Sequence, residues 1–222
     1  KTVKLRLVTV PKFVQRIYPK RIWALPNNDK KVYLTFDDGP IPEVTPWVLD
    51  TLKKYNAKAT FFCIGDNIKK HPDIFKRILA EGHSVGNHTF NHLNGWQTST
   101  QRYINNVSLF EKELQAQSFH HSSLVSRTSL FRPPYGKITS KQANLLQEKG
   151  YKIIMWSVLS YDYDASVSKE QCLHHVSQNI QPGSIIVFHD SIKAQKNLRY
   201  VLPKVLDNQK YAFEPIYFLN LQ

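Results

Sequence analysis

The stretch Thr35-Phe36-Asp37-Asp38-Gly39-Pro40 decides the reading of the fold. It follows Val32-Tyr33-Leu34, an apolar run of buried-strand type, and Gly39-Pro40 turns the backbone at once. Two adjacent carboxylates therefore stand at the C-terminal end of a strand, where α/β proteins assemble their sites. Side by side they repel, so their roles must be separated; a metal on one and a proton on the other would do so. A solvated Asp-Asp-Gly turn is the plain alternative, and the hexapeptide alone does not choose between them.

On either side of this stretch strands and helices alternate. After the strand over 31–37, Thr45 and Pro46 read as N-cap and first residue of a helix whose apolar face holds Val48, Leu49 and Leu52. A strand over 59–64 and a helix over 72–80 follow, then a short strand over 83–85 and a His-rich loop. A long helix is expected over 100–117, a brief strand at Leu130-Phe131, and an irregular loop at Arg132-Pro133-Pro134-Tyr135-Gly136. Capping boxes at Thr139/Gln142 and Ser168/Gln171 open two more helices on either side of a strand over 152–158. A strand over 184–188 ends in His189-Asp190, and a helix over 197–206 precedes a strand near 213–218. Some seven βα steps with short links predict a parallel α/β architecture in one domain over 31–222. Periodicity does not separate a barrel from an open sheet.

Residues 1–30 read as a basic arm, with no acid before Asp29. Between Pro11 and Pro19 a two-turn helix places Val10, Phe13, Val14 and Ile17 on one face and Lys12, Gln15 and Arg16 on the other. Docking on the domain, with Phe13, Ile17 and Trp23 buried, is preferred over an interfacial membrane anchor because the helix is so short. The arm lacks the features of a clear signal peptide, and no apolar run approaches the ~20 residues of a membrane span. The net charge of +13 suits contact with an anionic surface, membrane or cell envelope, yet no specific nucleic-acid signature accompanies it. Compartment stays open and a monomer is favoured. Cys63 reads as a buried free thiol and Cys172 as a helix residue; Asn87 and Asn106 begin formal glycosylation sequons.

The chemistry-bearing residues fall after strands: Asp37 and Asp38, His88 and His92, Arg132 and Tyr135, Asp162, His189. One site assembled from several strand ends is the simplest arrangement. His88 and His92, four apart, would share a face on a helical turn, a spacing used for zinc. With Asp38 they form the donor set of a catalytic first-row metal site. His83 reads as structural, Asp190 as a helix cap, and His120, His121, His174 and His175 as solvated. Trp96 and Tyr161 are loop aromatics with weak claims as sugar platforms.

Four segments together resemble the polysaccharide deacetylases of carbohydrate esterase family four: Thr35–Pro40, His88–His92, Arg132–Tyr135 and Ile186–Asp190, in the family's order. The resemblance implies a distorted (β/α) barrel of about seven parallel strands. It implies a metal-dependent hydrolase removing N-acetyl groups from a peptidoglycan- or chitin-like glycan. One divalent ion, zinc first and cobalt or nickel as alternatives, would be held by Asp38, His88 and His92. Asp37 matches the general base, Arg132 its partner, His189 the general acid and Asp162 the acid that charges it. Tyr135 matches the residue whose N–H stabilises the oxyanion, and Val187 stands where a leucine usually lines the acetyl pocket. Trp156 precedes the family's fourth motif, which departs here: Leu159 replaces its first acid and Tyr163 its Trp. The first change leaves open how the loop around Arg132 is held; the second alters the acetyl pocket. An O-acetyl esterase on xylan-like glycans and a non-catalytic glycan-binding protein are the competing readings.

Overall fold

The computed structural model describes residues 6–26, 29–117 and 129–217. Its strands are β1 (Lys31–Asp37), β2 (Thr60–Cys63), β3 (Ser84–Asn87), β4 (Leu130–Phe131), β5 (Lys152–Ile153), β6 (Val158–Leu159), β7 (Ile185–His189) and β8 (Ala212–Phe213). Seven of them form one curled parallel sheet in the order β5-β4-β3-β2-β1-β7-β6, and β8 runs parallel to the start of β1. The helices are α1 (Lys12–Ile17), α2 (Thr45–Lys54), α3 (Gly65–Lys70), α4 (Pro72–Ala80), α5 (Thr100–Ala116), α6 (Ser140–Glu148), α7 (Lys169–Ser177) and α8 (Gln195–Leu206). This is the distorted barrel of about seven parallel strands that the sequence implied. Helix α3 was not expected, and the last strand is shorter than expected. Phe218 and the pair His120-His121 lie outside the described residues.

Alternation along β1 sets the two cores. Val32, Leu34 and Phe36 point outward and pack with Val48, Leu49 and Leu52 of α2 and Leu198, Val201 and Leu202 of α8. Tyr33 points inward, to a smaller core with Phe62, Leu130, Ile154 and Ile185. Thr35 and Asp37 share that inner face. The parallel register pairs them with Val187 and His189 of β7, which places all four side chains inside the barrel.

The expected strand over 152–158 is instead two strands, β5 and β6, at opposite ends of the sheet. Residues 154–157 cross the opening between them. Their peptide groups have other partners: Ile22 donates to the Ile153 carbonyl (2.8 Å) and accepts from the Met155 N–H (2.7 Å), while Arg132 donates to the carbonyls of Ile154 and Met155. The arm follows the same opening. Thr9 bridges Val158, Ile22 bridges Ile154 and Ala24 bridges Ser184. Leu25 enters the inner core, and Trp23 packs with Tyr103, Phe131 and Leu146.

Docking of the arm therefore buries Trp23, but not Phe13 and Ile17, which remain 64% and 62% exposed. The packed face of α1 is that of Val10, Val14 and Tyr18. At about 100° per residue, Phe13 and Ile17 lie to one side of it. Trp23→Ala should cost about 3–5 kcal/mol, a fall of roughly 6–20 °C in Tm for a chain of this size. Phe13→Ala and Ile17→Ala should leave Tm nearly unchanged, within about 0.5 kcal/mol. Thermal unfolding of the three variants checks this contrast.

Candidate active site

Arg132 is completely buried, the largest such side chain among the described residues. Its Nη1 donates to Asp37 Oδ1 (2.7 Å) and Thr35 Oγ1 (2.6 Å), Nε to the Ile154 carbonyl (3.2 Å) and Nη2 to the Met155 carbonyl (2.8 Å). The guanidinium also lies 4.1 Å from the centre of the Phe62 ring. Burial lowers the arginine pKa, and the Asp37 carboxylate opposes that shift. The loop around Arg132 is thus held by main-chain carbonyls and Thr35, with Leu159 taking no part in these bonds.

Asp38, next to the buried Asp37, is turned the other way by a left-handed backbone, φ 87°. Its Oδ1 lies 3.2 Å from His92 Nε2 and 3.8 Å from His88 Nε2. The spacing argument for His88 and His92 assumed a helical turn, which the structure does not form. The segment is a loop, with Thr89 and His92 both at positive φ (63° and 54°), and these left-handed residues bring the rings together. Such residues cost on the order of 1–3 kcal/mol each and need outside support. Asn87 Oδ1 accepts from the Thr89 N–H, and Asn106 Oδ1 from the N–H groups of Phe90 and Asn91. Both formal sequons therefore begin with asparagines buried in this network.

His88 Nδ1 lies 2.8 Å from the Arg132 carbonyl. A carbonyl only accepts, so Nδ1 carries the proton and Nε2 presents its lone pair toward Asp38. Burial lowers the His88 pKa to about 4, which favours the neutral ring. Burial would raise the Asp38 pKa, but the imidazoles of His92, His189 and His88 outweigh it and hold the carboxyl below its ordinary range. Asp38 Oδ1 is buried without a hydrogen-bond partner. One oxygen and two nitrogens within 4.8 Å, with a buried acceptor left over, fit a divalent cation.

Across the rim, Asp162 holds His189 twice: Oδ1 meets the ring Nδ1 and Oδ2 accepts from the backbone N–H, both at 2.8 Å. Burial alone would lower the His189 pKa, but Asp162, Asp38 and Asp37 together raise it to about 9. The Tyr163 ring meets His189 edge-on at 4.7 Å, and Tyr135 meets His92 at 4.6 Å. Tyr135 is 61% exposed and adopts φ 60°. Val187 is buried on the inner face, and Trp156 packs against Gly136, where a Cβ would collide with its ring.

Other expectations resolve as structure. His83 is buried and accepts from the Ala59 N–H, which fits its structural reading. Cys63 and Cys172 are buried free thiols. Asp190 does not cap a helix: it accepts from the Gly39 N–H and the Thr45 hydroxyl, fastening the turn that carries Asp38. Thr45 is correspondingly inside α2 rather than its N-cap. His175 is half-buried against the Ser160 carbonyl rather than solvated. The residues missed were Thr35, Asn87, Asn106 and the Asp190–Thr45 pair. Their signal was polarity at apolar positions: Thr35 inside a strand, Asn106 on the buried face of α5.

With this geometry in place, comparison with known proteins is direct. A family profile described as polysaccharide deacetylase matches residues 24–154. The chain belongs to the polysaccharide deacetylase family. It is 37% identical over 189 residues to a peptidoglycan-N-acetylglucosamine deacetylase of Bacillus cereus, covering 85% of each chain. It is 32% identical to a chitooligosaccharide deacetylase of Azorhizobium caulinodans, over 85% of this chain and 94% of that one. The crystal structure of the Bc1960 peptidoglycan N-acetylglucosamine deacetylase, bound to a naphthalenyl N-hydroxybenzamide, superposes with TM-score 0.77 at 34% identity, over 90% and 92% of the chains. Several relatives are longer, and the chain spans about half their length.

Polysaccharide deacetylases of this kind are metal-dependent in general, which agrees with the Asp38, His88 and His92 set. Removing one partner of the buried pair at its centre should be severe. Arg132→Met leaves Asp37 charged and unpaired, and should destabilise the fold by about 3–5 kcal/mol. Urea unfolding at neutral pH measures it.

Proposed function

We propose that the protein hydrolyses the acetamide of an amino-sugar glycan, peptidoglycan- or chitin-like, to acetate and a free amine. The observation that carries this reading is the separation of two neighbouring carboxylates. Asp37 is paired with Arg132 inside the barrel, Asp38 faces two imidazoles, and a histidine with its own acid stands opposite. The relatives' names supply the glycan class.

Asp38, His88 and His92 would hold one divalent ion, zinc first by donor type and cobalt or nickel next. Bound there, such an ion would supply a Lewis acid that polarises the acetyl carbonyl and brings the pKa of a water down toward about 7. Asp37 then takes the proton of the attacking water; its Oδ1 is committed to Arg132, which leaves Oδ2 for the proton. The Tyr135 N–H serves the oxyanion. His189, held protonated by Asp162, delivers a proton to the departing nitrogen as the C–N bond breaks. Arg132 and Asp162 act as positioning residues. Tyr163 and Val187 bound the acetyl methyl, and Trp156 braces the Tyr135 loop through Gly136. The basic arm and the catalytic body are one working unit, and the cell envelope is the setting that fits such a glycan.

Metal titration followed by calorimetry should give one ion per chain. His92→Ala should weaken binding by more than the roughly 10–100-fold that loss of an outer partner costs. Two well-separated sites, or full affinity without His92, would overturn the ligand set.

Acetate release from N-acetylated chitooligosaccharides tests the proton roles. Asp37→Asn should lower kcat by about 10²–10⁴ while metal still binds. His189 must be protonated to act, so activity should fall as pH rises through its pKa. That limb should lie above the ~6.5 of a free imidazole, and Asp162→Asn should move it down. An unmoved limb would remove His189 from the acid role, and higher activity on acetylated xylan than on chitooligosaccharide would favour the esterase reading.

A further inference from the structure

The arm presents a second surface over residues 12–26, and the end of that stretch lies away from the catalytic rim. Ala24 and Leu25 bond to Ser184 and Gly183, just before β7, whereas His189 ends that strand. Five residues of strand, roughly 16 Å, separate the two levels. At the arm a cavity of about 600 Å³ is bordered by Lys12, Arg16 and Arg21, with Pro19, Trp23 and Leu25 as apolar walls. None of the three cations makes an ion pair among the described residues. Arg21 is half-buried with its guanidinium 3.9 Å from the centre of the Tyr18 ring. A half-buried cation with no ion pair among the described residues can take an anion on the side away from the Tyr18 ring.

Beside these cations α1 projects Phe13 and Ile17, one turn apart and among the most exposed large apolar side chains described. Neither contributes to the cavity, and neither packs on the cores. A soluble polyanion would account for the cations and leave this apolar pair unexplained. A bilayer surface accounts for both, because it offers phosphodiesters above an apolar layer.

We infer that the arm seats the protein on an anionic phospholipid surface. Lys12, Arg16 and Arg21 take headgroup phosphates at the cavity, and Phe13 and Ile17 insert at the acyl boundary. This holds whichever acetylated glycan the rim processes.

Co-sedimentation of the whole chain with vesicles tests it, using phosphatidylcholine alone and phosphatidylcholine mixed with phosphatidylglycerol. Binding should require phosphatidylglycerol and weaken with salt. Arg16→Gln and Arg21→Gln should each weaken it about fivefold. Phe13→Ser with Ile17→Ser should weaken it about tenfold or more, with Tm and acetate release from soluble chitooligosaccharide unchanged. No binding to phosphatidylglycerol vesicles at physiological salt overturns the inference. So does full binding by the Phe13→Ser, Ile17→Ser variant, since charge alone then suffices. Retention of that variant on vesicles, with displacement by soluble polyphosphate, would assign the cavity to a free polyanion instead.

Discussion

The buried ion pair between Arg132 and Asp37 is the constraint on which the rest depends. A guanidinium taken wholly out of water must have its donors satisfied, and a carboxylate taken with it must have its charge met. Four described hydrogen bonds from Arg132 do this, and they tie together three parts of the chain. Thr35 and Asp37 come from the inner face of β1. Ile154 and Met155 come from the segment that crosses the barrel opening. Arg132 itself follows β4 and passes its own carbonyl to His88. One side chain thus fixes Asp37, the crossing segment and the orientation of His88. Such a pair adds little net stability compared with an apolar core, but removing half of it is costly.

The same constraint explains why the site is built from strained backbone. Asp37 belongs inside the barrel, so its neighbour Asp38 reaches the rim only by reversing direction, which it does at φ 87°. Thr89, His92 and Tyr135 are also left-handed, and all three lie in or against the Asp38, His88 and His92 cluster. The support comes from buried polar side chains rather than from more apolar packing. Asn106 fixes the His88–His92 loop from α5, and Asp190 with Thr45 fixes the turn after Asp38.

Much of this was legible in the sequence, because strand-end carboxylates and histidines depend on short local patterns. The end of β1 and the capping boxes at Thr139 and Ser168 read correctly from neighbours a few residues away. What failed depends on contacts distant in the chain. The break between β5 and β6 follows from Ile22 and Arg132 taking the peptide groups between them, and nothing in residues 152–158 announces it. The partial burial of the arm follows from which face of α1 meets the core, and the apolar pattern there was wide enough to fit two orientations. The roles of Asn87 and Asn106 were hidden behind their sequon readings.

The departures from the family's fourth motif then have a physical account. An acid at position 159 would be a further negative charge near a rim that already holds Asp37, Asp38, Asp162 and Asp190. Each of these is managed separately. Asp37 has Arg132, Asp162 has His189, and Asp38 faces His88 and His92. Burial raises the Asp190 pKa to about 8, with the Thr45 hydroxyl and Gly39 N–H opposing it, which lessens the charge that carboxyl brings to the rim. Because the carbonyls of Ile154 and Met155 already orient Arg132, a second carboxylate is not required to hold it, and Leu159 avoids the repulsion it would bring. Tyr163 retains an aromatic edge against His189 and adds a hydroxyl, so the change from Trp falls on the shape and polarity of the pocket while the Asp162–His189 contact stays intact.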